Sequence, residues 1–253
     1  MQKLKSEGKC LFCGKTFAKT GINRHLKTHL DEKQNAEGVS FLVKIEQNSR
    51  WGKKPYFLSL WINGETTLKQ LDKFLRDIWL ECCGHLSAFR YKTSGNSTIN
   101  FNSILKMFSQ LSHVSTGEFG EIPFKKKAKE IFGPDMKLDY EYDFGSSTKL
   151  EISVVAVFPY KADKNIVLLS RNEPLEIICS MCGKVPATQI CTVCMYDEDA
   201  EFCDKCAEKH AKTCEDFADY ASIPMVNSPR MGVCDYEGGV IDKERDGVFV
   251  LKE

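Results

Sequence analysis

The sequence has no net charge and no long apolar run. Its 35 lysines and arginines balance 35 aspartates and glutamates over 253 residues, which argues against holding nucleic acid by the charge of the whole chain. No apolar stretch approaches the roughly 20 residues that a membrane-spanning helix needs. We therefore expect no membrane partner, and any nucleic-acid contact must come from a local patch.

Motifs of the common enzyme classes are missing as well. We find no phosphate-binding loop, nucleophile elbow, dinucleotide fingerprint or paired-histidine zinc-protease helix. Residues 1–9 contain no apolar run that would serve as an export signal. The sequence therefore favours a non-enzymatic protein of the reducing cytoplasm, where thiols are available for metal.

Cysteine, in contrast, is abundant, with 12 residues. Three Cys-x-x-Cys pairs and a final His-x-x-x-Cys pair follow one another along the C-terminal part: Cys179, Cys182, Cys191, Cys194, Cys203, Cys206, His210 and Cys214. Zinc binds four thiolate or imidazole ligands in a tetrahedron, and a Cys-x-x-Cys knuckle supplies two of them. Eight ligands therefore predict two closed, structural zinc sites. A disulfide framework is the alternative, and the lack of an export signal argues against it.

The order of the four pairs leaves two ways to share them between two ions. Interleaved pairing, which we favour, resembles cross-brace zinc modules such as the B-box and MYND types. It places Cys179, Cys182, Cys203 and Cys206 on one ion and Cys191, Cys194, His210 and Cys214 on the other. Sequential pairing is the alternative.

A second zinc signal lies near the N-terminus. Cys10-x2-Cys13 is followed after eleven residues by His25-x3-His29, which resembles the two-Cys/two-His finger family. The gap is one residue shorter than the usual twelve, so the entry into the helix must be tighter. Together with the C-terminal module, this finger predicts about three structural Zn2+ ions.

Nucleic-acid contact by this finger is weakly supported. Counting back from His25, the usual base-reading positions hold Ala18, Gly21 and Arg24, of which only Arg24 can pair with guanine. A single finger covers about three base pairs. The candidate contacts, mostly to phosphate, are Lys15, Lys19, Arg24 and Lys27.

Between these cysteine-rich ends, the pattern predicts an α+β domain. Residues 31–38 are polar and are interpreted as a linker. Alternation predicts strands at 39–46 and 56–63, and apolar spacing predicts a helix at 68–79. Further helices are predicted at 101–111 and 124–131, and further strands at 137–144 and 149–158. This order suggests a β-grasp-like mixed domain.

Three domains follow from this reading. They are a finger at 1–33, an α+β domain at 39–165, and a two-zinc module with its C-terminal tail at 175–253. Because the linker is polar, we expect removal of residues 1–33 to leave the remainder folded.

Three strings of the α+β domain resemble the plasmid pRiA4b ORF-3-like family, over residues 39–160. They are Thr67-Leu68-x2-Leu71, His85-Leu86-x2-Phe89, and Tyr140-Glu-Tyr-Asp-Phe-Gly145. The tail string 226–234 is similar to the end of members that carry a cysteine-rich extension. The family's polar residues after the glycine are replaced here by Ser146 to Lys149. The resemblance implies a fold and an association with plasmids and mobile elements, and it implies no activity, since the family has none agreed.

A small pocket is the remaining enzymatic hypothesis, with His85, Tyr140, Tyr142 and Asp143 as candidates. A histidine beside a carboxylate can perform acid–base chemistry. The simpler interpretation is structural. It places Tyr140, Tyr142 and Phe144 together on a core-facing side of a strand, leaves Asp143 in a turn, and makes His85 a turn residue of little consequence. We favour the structural interpretation.

Three cysteines lie outside the predicted sites. Adjacent cysteines have poor geometry for chelating one ion, so Cys82 and Cys83 are predicted to be a buried or half-buried pair. Cys234 is expected to cover the C-terminal module without acting as a ligand.

The sequence therefore supports three functional hypotheses. The first is a zinc-binding interaction or adaptor protein with a protein partner, of a prokaryote or mobile element. The second is a nucleic-acid-binding accessory factor that uses the finger. The third is an enzyme with a site near His85 and Asp143. The oligomeric state is left open.

Overall fold

A six-stranded antiparallel sheet forms the centre of the protein. The computed structural model describes residues 4–33, 35–47, 54–92, 120–197 and 200–251, so the predicted helix at 101–111 lies outside the described residues. The strands of this sheet are β3 (Glu37–Gln47), β4 (Phe57–Asn63), β5 (Ser87–Tyr91), β6 (Lys137–Tyr142), β7 (Thr148–Tyr160) and β8 (Ile166–Arg171). Their spatial order is β5-β6-β7-β3-β4-β8.

One face of the sheet is covered by α2 (Leu68–Leu75), which continues into a π-helical turn at Arg76–Leu80. Thr67 starts the helix with a capping box, since its hydroxyl accepts from Gln70 N–H and the Gln70 side chain accepts from Thr67 N–H. The helix buries Leu68, Leu71, Leu75 and Trp79 against the sheet. The predicted helix at 68–79 is therefore present, although its last turn is widened.

The N-terminal finger covers the opposite face. It consists of β1 (Glu7–Lys9), β2 (Thr16–Ala18) and α1 (Ile22–Asp31). Apolar residues of the finger and of the sheet form one core: Cys10, Ile22, Leu26, Leu30, Leu42, Phe57, Trp61, Phe158, Ala162 and Leu169. The Ser59 hydroxyl of β4 donates to Asn23 Oδ1 at 2.8 Å, and the Tyr160 hydroxyl of β7 donates to Leu30 O at 2.5 Å. The finger is thus packed into the body of the protein.

This packing changes the interpretation of residues 31–38. The helix α1 ends at Asp31 and β3 already begins at Glu37, so the stretch predicted to be a linker contains the ends of two elements. Removing residues 1–33 would expose Leu42, Phe57 and Trp61, each fully buried. The expectation that the remainder folds without the finger is therefore not supported by the contacts.

The mixed α and β composition expected from the sequence is present, but a β-grasp fold is not confirmed. Each described pairing within the large sheet is antiparallel. Two boundaries also differ from the expectation. The helix predicted at 124–131 is confined to α3 (Ala128–Ile131), and the strand predicted at 137–144 ends at Tyr142, because Asp143 adopts φ 62° and leaves the extended conformation.

The C-terminal part is a small module whose tail returns to the sheet. It contains β9 (Gln189–Cys191), β10 (Glu201–Phe202), α4 (Asp204–His210), a π-helical turn (Phe217–Ala221) and β11 (Ser222–Pro224). The strands form a three-stranded sheet in the order β10-β9-β11. Residues of the tail, including Met225, Val226, Met231 and Tyr236, pack in a shared core with Ile190 of this module. Among the described residues, no helix is long and apolar enough to cross a membrane.

Candidate metal centres

The finger brings its four predicted ligands together. Cys10 and Cys13 lie in the turn between β1 and β2, while His25 and His29 lie one turn apart on α1. Cys13 Sγ is 3.2 Å from His25 Nε2, and His29 Nε2 is 3.2 Å from His25 Nε2. In a tetrahedral zinc site, ligand atoms lie roughly 3.3–3.8 Å apart. The arrangement therefore fits a divalent metal.

The C-terminal module forms two further sets, with the interleaved pairing. One set contains Cys179, Cys182, Cys203 and Cys206, and the other contains Cys191, Cys194, His210 and Cys214. Within each set all ligand atoms lie within 4.8 Å of one another. The geometry excludes the sequential alternative, because Cys179 and Cys182 lie with Cys203 and Cys206. Helix α4 joins the two sets, since it carries Cys206 of one and His210 of the other.

The surroundings of both module sets favour structural metal ions. All eight ligands are buried or half-buried, and His210 is stacked on Phe202 with ring centroids 4.3 Å apart. Burial and the neighbouring thiols raise the pKa of Cys194 and of Cys206 to about 12. A bound divalent cation would lower the pKa of these thiols again, because it binds the deprotonated thiolate. Each set already has four ligands, which leaves no position for a reacting water.

The basic residues of the finger divide into two groups. Lys19 is paired with Glu46 of β3 at 2.7 Å, and Lys27 is paired with Asp31 at 2.6 Å. Lys15 and Arg24 are exposed, and within the described ranges neither has a carboxylate partner. Two of the four predicted phosphate contacts, Lys19 and Lys27, therefore already form ion pairs within the protein.

The candidate pocket residues converge, contrary to the interpretation of His85 as an isolated turn residue. His85 Nδ1 lies 3.6 Å from Asp143 Oδ1, and the His85 ring packs edge-on against Tyr142. Burial opposes ionisation of Asp143, but the Arg230 guanidinium, at 2.6 Å from its Oδ2, and backbone N–H groups hold the pKa of Asp143 below its usual value. Asp143 is therefore held as an anion by Arg230 and lies close to His85.

The aromatic residues of β6 are largely as expected, with one correction. Tyr140 and Tyr142 are fully buried, and the Tyr140 hydroxyl donates to Asp72 Oδ1 at 2.8 Å. The Tyr142 ring lies between the guanidinium groups of Arg76 and Arg230. Phe144 was predicted to share this core face but is 47% exposed, because the turn begins one residue earlier, at Asp143.

A fourth set was missed by the sequence reasoning. Cys82, Cys83, His85 and Cys234 place one ligand atom each within the same 4.8 Å limit. Adjacent Cys82 and Cys83 were expected to have poor geometry for one ion, but both thiols lie in this set. Cys83 is exposed, whereas a buried or half-buried pair was predicted. Cys234, expected to cover the module without acting as a ligand, has its thiol in the same set. Cys83-x-His85 was the local signal, but nothing in the sequence links it to Cys234.

Comparison with known proteins adds little to this picture. No protein-family model and no curated protein matches the chain. Among solved structures, the chain is similar to the crystal structure of the protein of unknown function MM3350 from Methanosarcina mazei Go1. The two share 13% sequence identity with a TM-score of 0.36, over 54% of this chain and 68% of that chain. A similarity of this size does not establish a shared function.

Proposed function

We propose that this chain is a zinc-binding interaction or adaptor protein, in which zinc is used for folding. The observation that carries the proposal is a group of exposed apolar and aromatic side chains on the two-site module. Tyr196 is 73% exposed, Tyr220 66% and Val193 38%; we call these three residues the knuckle patch. Thr192 N–H donates to Ala221 O at 2.9 Å, which holds the backbone beside Val193 next to the backbone beside Tyr220.

The chemistry around the knuckle patch indicates the kind of partner. Asp197, Asp216 and Asp219 are exposed and lie one to four residues from its members in sequence. Tyrosine is enriched where proteins bind one another, because it combines a large apolar ring with a polar group. An apolar surface with acidic neighbours fits a protein segment that combines apolar and basic side chains.

The test compares two double variants of the full chain. Tyr196→Ser with Tyr220→Ser removes the aromatic part of the knuckle patch. Val155→Ser with Val157→Ser removes two exposed apolar residues of β7, each 39% exposed, and serves as the matched control. We expect the tyrosine variant to lose at least tenfold in recovery of a specific partner during quantitative affinity purification from the native host.

Both variants should keep the metal content and melting temperature of the unmodified chain, because the replaced residues are exposed. Equal recovery of partners by the two variants would contradict the proposal, as would recovery by the unmodified chain no higher than that by an unrelated bait.

Nucleic-acid binding is the second candidate, favoured by Lys15 and Arg24, which are exposed and have no carboxylate partner among the described residues. If it is correct, affinity for DNA or RNA should fall with rising salt, with a slope set by the phosphates contacted. Lys15→Ala with Arg24→Ala should then reduce that slope by about two. Lys27→Ala is the control, because Lys27 is already paired with Asp31. If the double variant has the same salt dependence of affinity as the unmodified chain, the finger does not contact the nucleic acid through these two residues.

An enzymatic site at His85 and Asp143 is less well supported. Asp143 is bound by the buried Arg230, and His85 Nε2 lies 3.0 Å from Cys83 Sγ, so both groups are already occupied by other side chains. The resemblance to plasmid pRiA4b ORF-3-like proteins supports a prokaryotic, mobile-element setting as part of the proposal, and the free thiols support the reducing cytoplasm. A β-grasp-like fold is kept as part of the proposal, and the hairpin β3–β4 followed by α2 supports it.

A further inference from the structure

We propose that Cys82, Cys83, His85 and Cys234 form a fourth metal site, which binds Zn2+ and fastens the C-terminal tail to the sheet domain. Cys83 Sγ lies 3.6 Å from Cys82 Sγ, 3.0 Å from His85 Nε2 and 3.2 Å from Cys234 Sγ. His85 Nε2 lies 3.4 Å from Cys234 Sγ. In the module, Cys194 Sγ lies 3.6 Å from His210 Nε2 and 3.9 Å from Cys214 Sγ. The fourth set is therefore as compact as a set recognised from its spacing.

The backbone explains how two adjacent cysteines can face one ion. The π-helical turn ends at Leu80, Glu81 is extended, and Gly84 turns the chain with φ 75°. The Glu81 carboxylate accepts from Gly84 N–H at 2.6 Å and is held by Arg76 at 2.9 Å. This loop is thus fixed in a form that directs both thiols and His85 to the same point.

The tail is bent to meet this loop. Cys234 and Asp235 have φ of 53° and 50°, a left-handed conformation that is rare outside glycine. Two successive residues in this region are energetically unfavourable, and such strain is typical of functional positions. A metal–thiolate bond at Cys234 supplies a reason for this conformation.

The residues around the set match the outer shell of a zinc site. Asp143 Oδ1 lies 3.6 Å from His85 Nδ1, on the side of the ring where a metal-bound histidine has its carboxylate or carbonyl acceptor, while Nε2 faces the thiols of Cys83 and Cys234. Arg230 Nη2 lies 3.6 Å from Cys82 Sγ. Three thiolates and a histidine around Zn2+ carry one net negative charge, and the buried guanidinium of Arg230, which also pairs with Asp143, lies against it.

The site also explains a group of tail contacts. Arg230 donates to Ser146 O at 2.5 Å, and the Ser228 hydroxyl donates to Trp79 O at 2.7 Å. These bonds bring the tail to the end of α2 and to the β6–β7 turn, where Cys82, Cys83 and His85 lie. The ion would add metal–ligand bonds to the hydrogen bonds that already hold the tail on the sheet domain. Unlike the module ligands, Cys83 and Cys234 are exposed, so this ion should exchange with solvent most readily.

The experiment counts metal in the full chain. Protein is prepared from zinc-supplemented cells with a non-chelating reductant and desalted, and its zinc is measured by elemental analysis. We expect four ions per chain, matching the four ligand sets. We expect three zinc ions per chain in Cys234→Ser, in Cys83→Ser and in the double variant. The double variant should lose no more zinc than either single variant, because loss of any one ligand releases the same ion. Glu237→Ser, an exposed change in the same tail, should keep four.

Cobalt provides an independent readout. When Co2+ is added to zinc-loaded protein, the thiolate-to-cobalt absorption should rise first in the unmodified chain, and that early phase should be missing from Cys234→Ser. Three ions in the unmodified chain with no loss in Cys234→Ser would overturn the proposal. It would also be overturned if the intact mass under reductant is two hydrogens low and maps to a Cys83–Cys234 disulfide. Neither result bears on the knuckle patch, so this proposal and the proposed function fail separately.

Discussion

The two-site module and the Cys82–Cys234 set reach similar ligand geometries by opposite routes. In the module, every ligand lies between Cys179 and Cys214, and short knuckles deliver them in pairs. In the other set, three ligands come from the loop before β5, and the fourth comes from the far end of the chain. Ligands that are close in sequence are recognisable by spacing, whereas a site assembled by the fold is recognisable only after folding. The following predictions test this contrast, from the largest expected effect to the smallest.

The largest effect is expected when a module ligand is removed. Cys179→Ser should release the ion held with Cys203 and Cys206 and should unfold the module, because structural zinc contributes on the order of 10 kcal/mol to small zinc domains. Zinc analysis and mapping of protease cleavage sites provide the measurement. Lys205→Ala, an exposed change on α4, is the control. If Cys191 and Cys194 lose their zinc in this variant while Cys203 and Cys206 still bind theirs, the pairing is sequential and not interleaved.

The second effect concerns the tail ion pair, which forms across the fold. Arg230→Met should leave Asp143 buried without its cation, at a cost of about 3–5 kcal/mol in the free energy of unfolding. Denaturant unfolding measures this cost. Lys243→Met, an exposed change in the same tail, should cost less than about 0.5 kcal/mol. Similar midpoints for the two variants would mean that the tail is held by its apolar contacts alone.

The third effect tests whether the finger, whose ligands are local, depends on distant packing. Leu26→Ala should cost about 2–5 kcal/mol, since Leu26 is fully buried between α1 and the sheet. Lys27→Ala, on the exposed side of the same helix, should cost about 0.5 kcal/mol or less. Zinc content should stay unchanged in both variants, because neither residue is a ligand. A finger that truly acts alone would make the midpoint of sheet unfolding insensitive to Leu26→Ala.

The smallest effect concerns pH. Burial opposes ionisation of Glu46, but hydrogen bonds from Lys19 of the finger and Lys44 lower its pKa below the ordinary value of 4.5. Because the pKa of Glu46 is lower in the folded than in the unfolded state, its ionised carboxylate stabilises the fold at pH values above 4.5. That stabilisation is lost as the pH falls through the folded-state pKa. Glu46→Gln should therefore reduce stability by about 1 kcal/mol at neutral pH.

The difference between Glu46→Gln and the unmodified chain should narrow as the pH falls below 4.5. Thermal melts at several pH values measure it, with Glu32→Gln, an exposed change in the finger, as the control. A difference that is constant with pH would show that Glu46 acts by packing and not by charge.

Much of the fold could be read from local patterns. The apolar spacing of α2 identified the helix, and the spacing of the cysteines and histidines identified three ligand sets. These features succeed because each depends on residues within a few positions of one another. The widened last turn of α2 and the turn that ends β6 both contact the tail, through Ser228 on Trp79 O and Arg230 on Asp143, and no local pattern contains these contacts.

One signal for the docked finger was present but was not used. Residues 57–62 of β4, Phe-Leu-Ser-Leu-Trp-Ile, are apolar on both faces apart from Ser59, whereas a strand with one exposed face alternates. Such a run predicts a cover on both faces of the sheet. With α2 on one side, the finger was the available element for the other. The Cys82–Cys234 set left no comparable signal, because its fourth ligand is positioned by the path of the tail.

Trp61 and Trp79 lie on opposite faces of the sheet, both fully buried, and this gives the protein two separate optical reporters. Trp61 lies in the finger-facing core and donates from Nε1 to Ser40 Oγ at 2.9 Å. Trp79 lies in the other core, with its ring edge-on to Tyr56. In a Trp51→Phe background, single Trp→Phe variants at each position would assign the fluorescence of each face. Removal of metal from the finger should then shift the emission of Trp61 to longer wavelength before that of Trp79 changes.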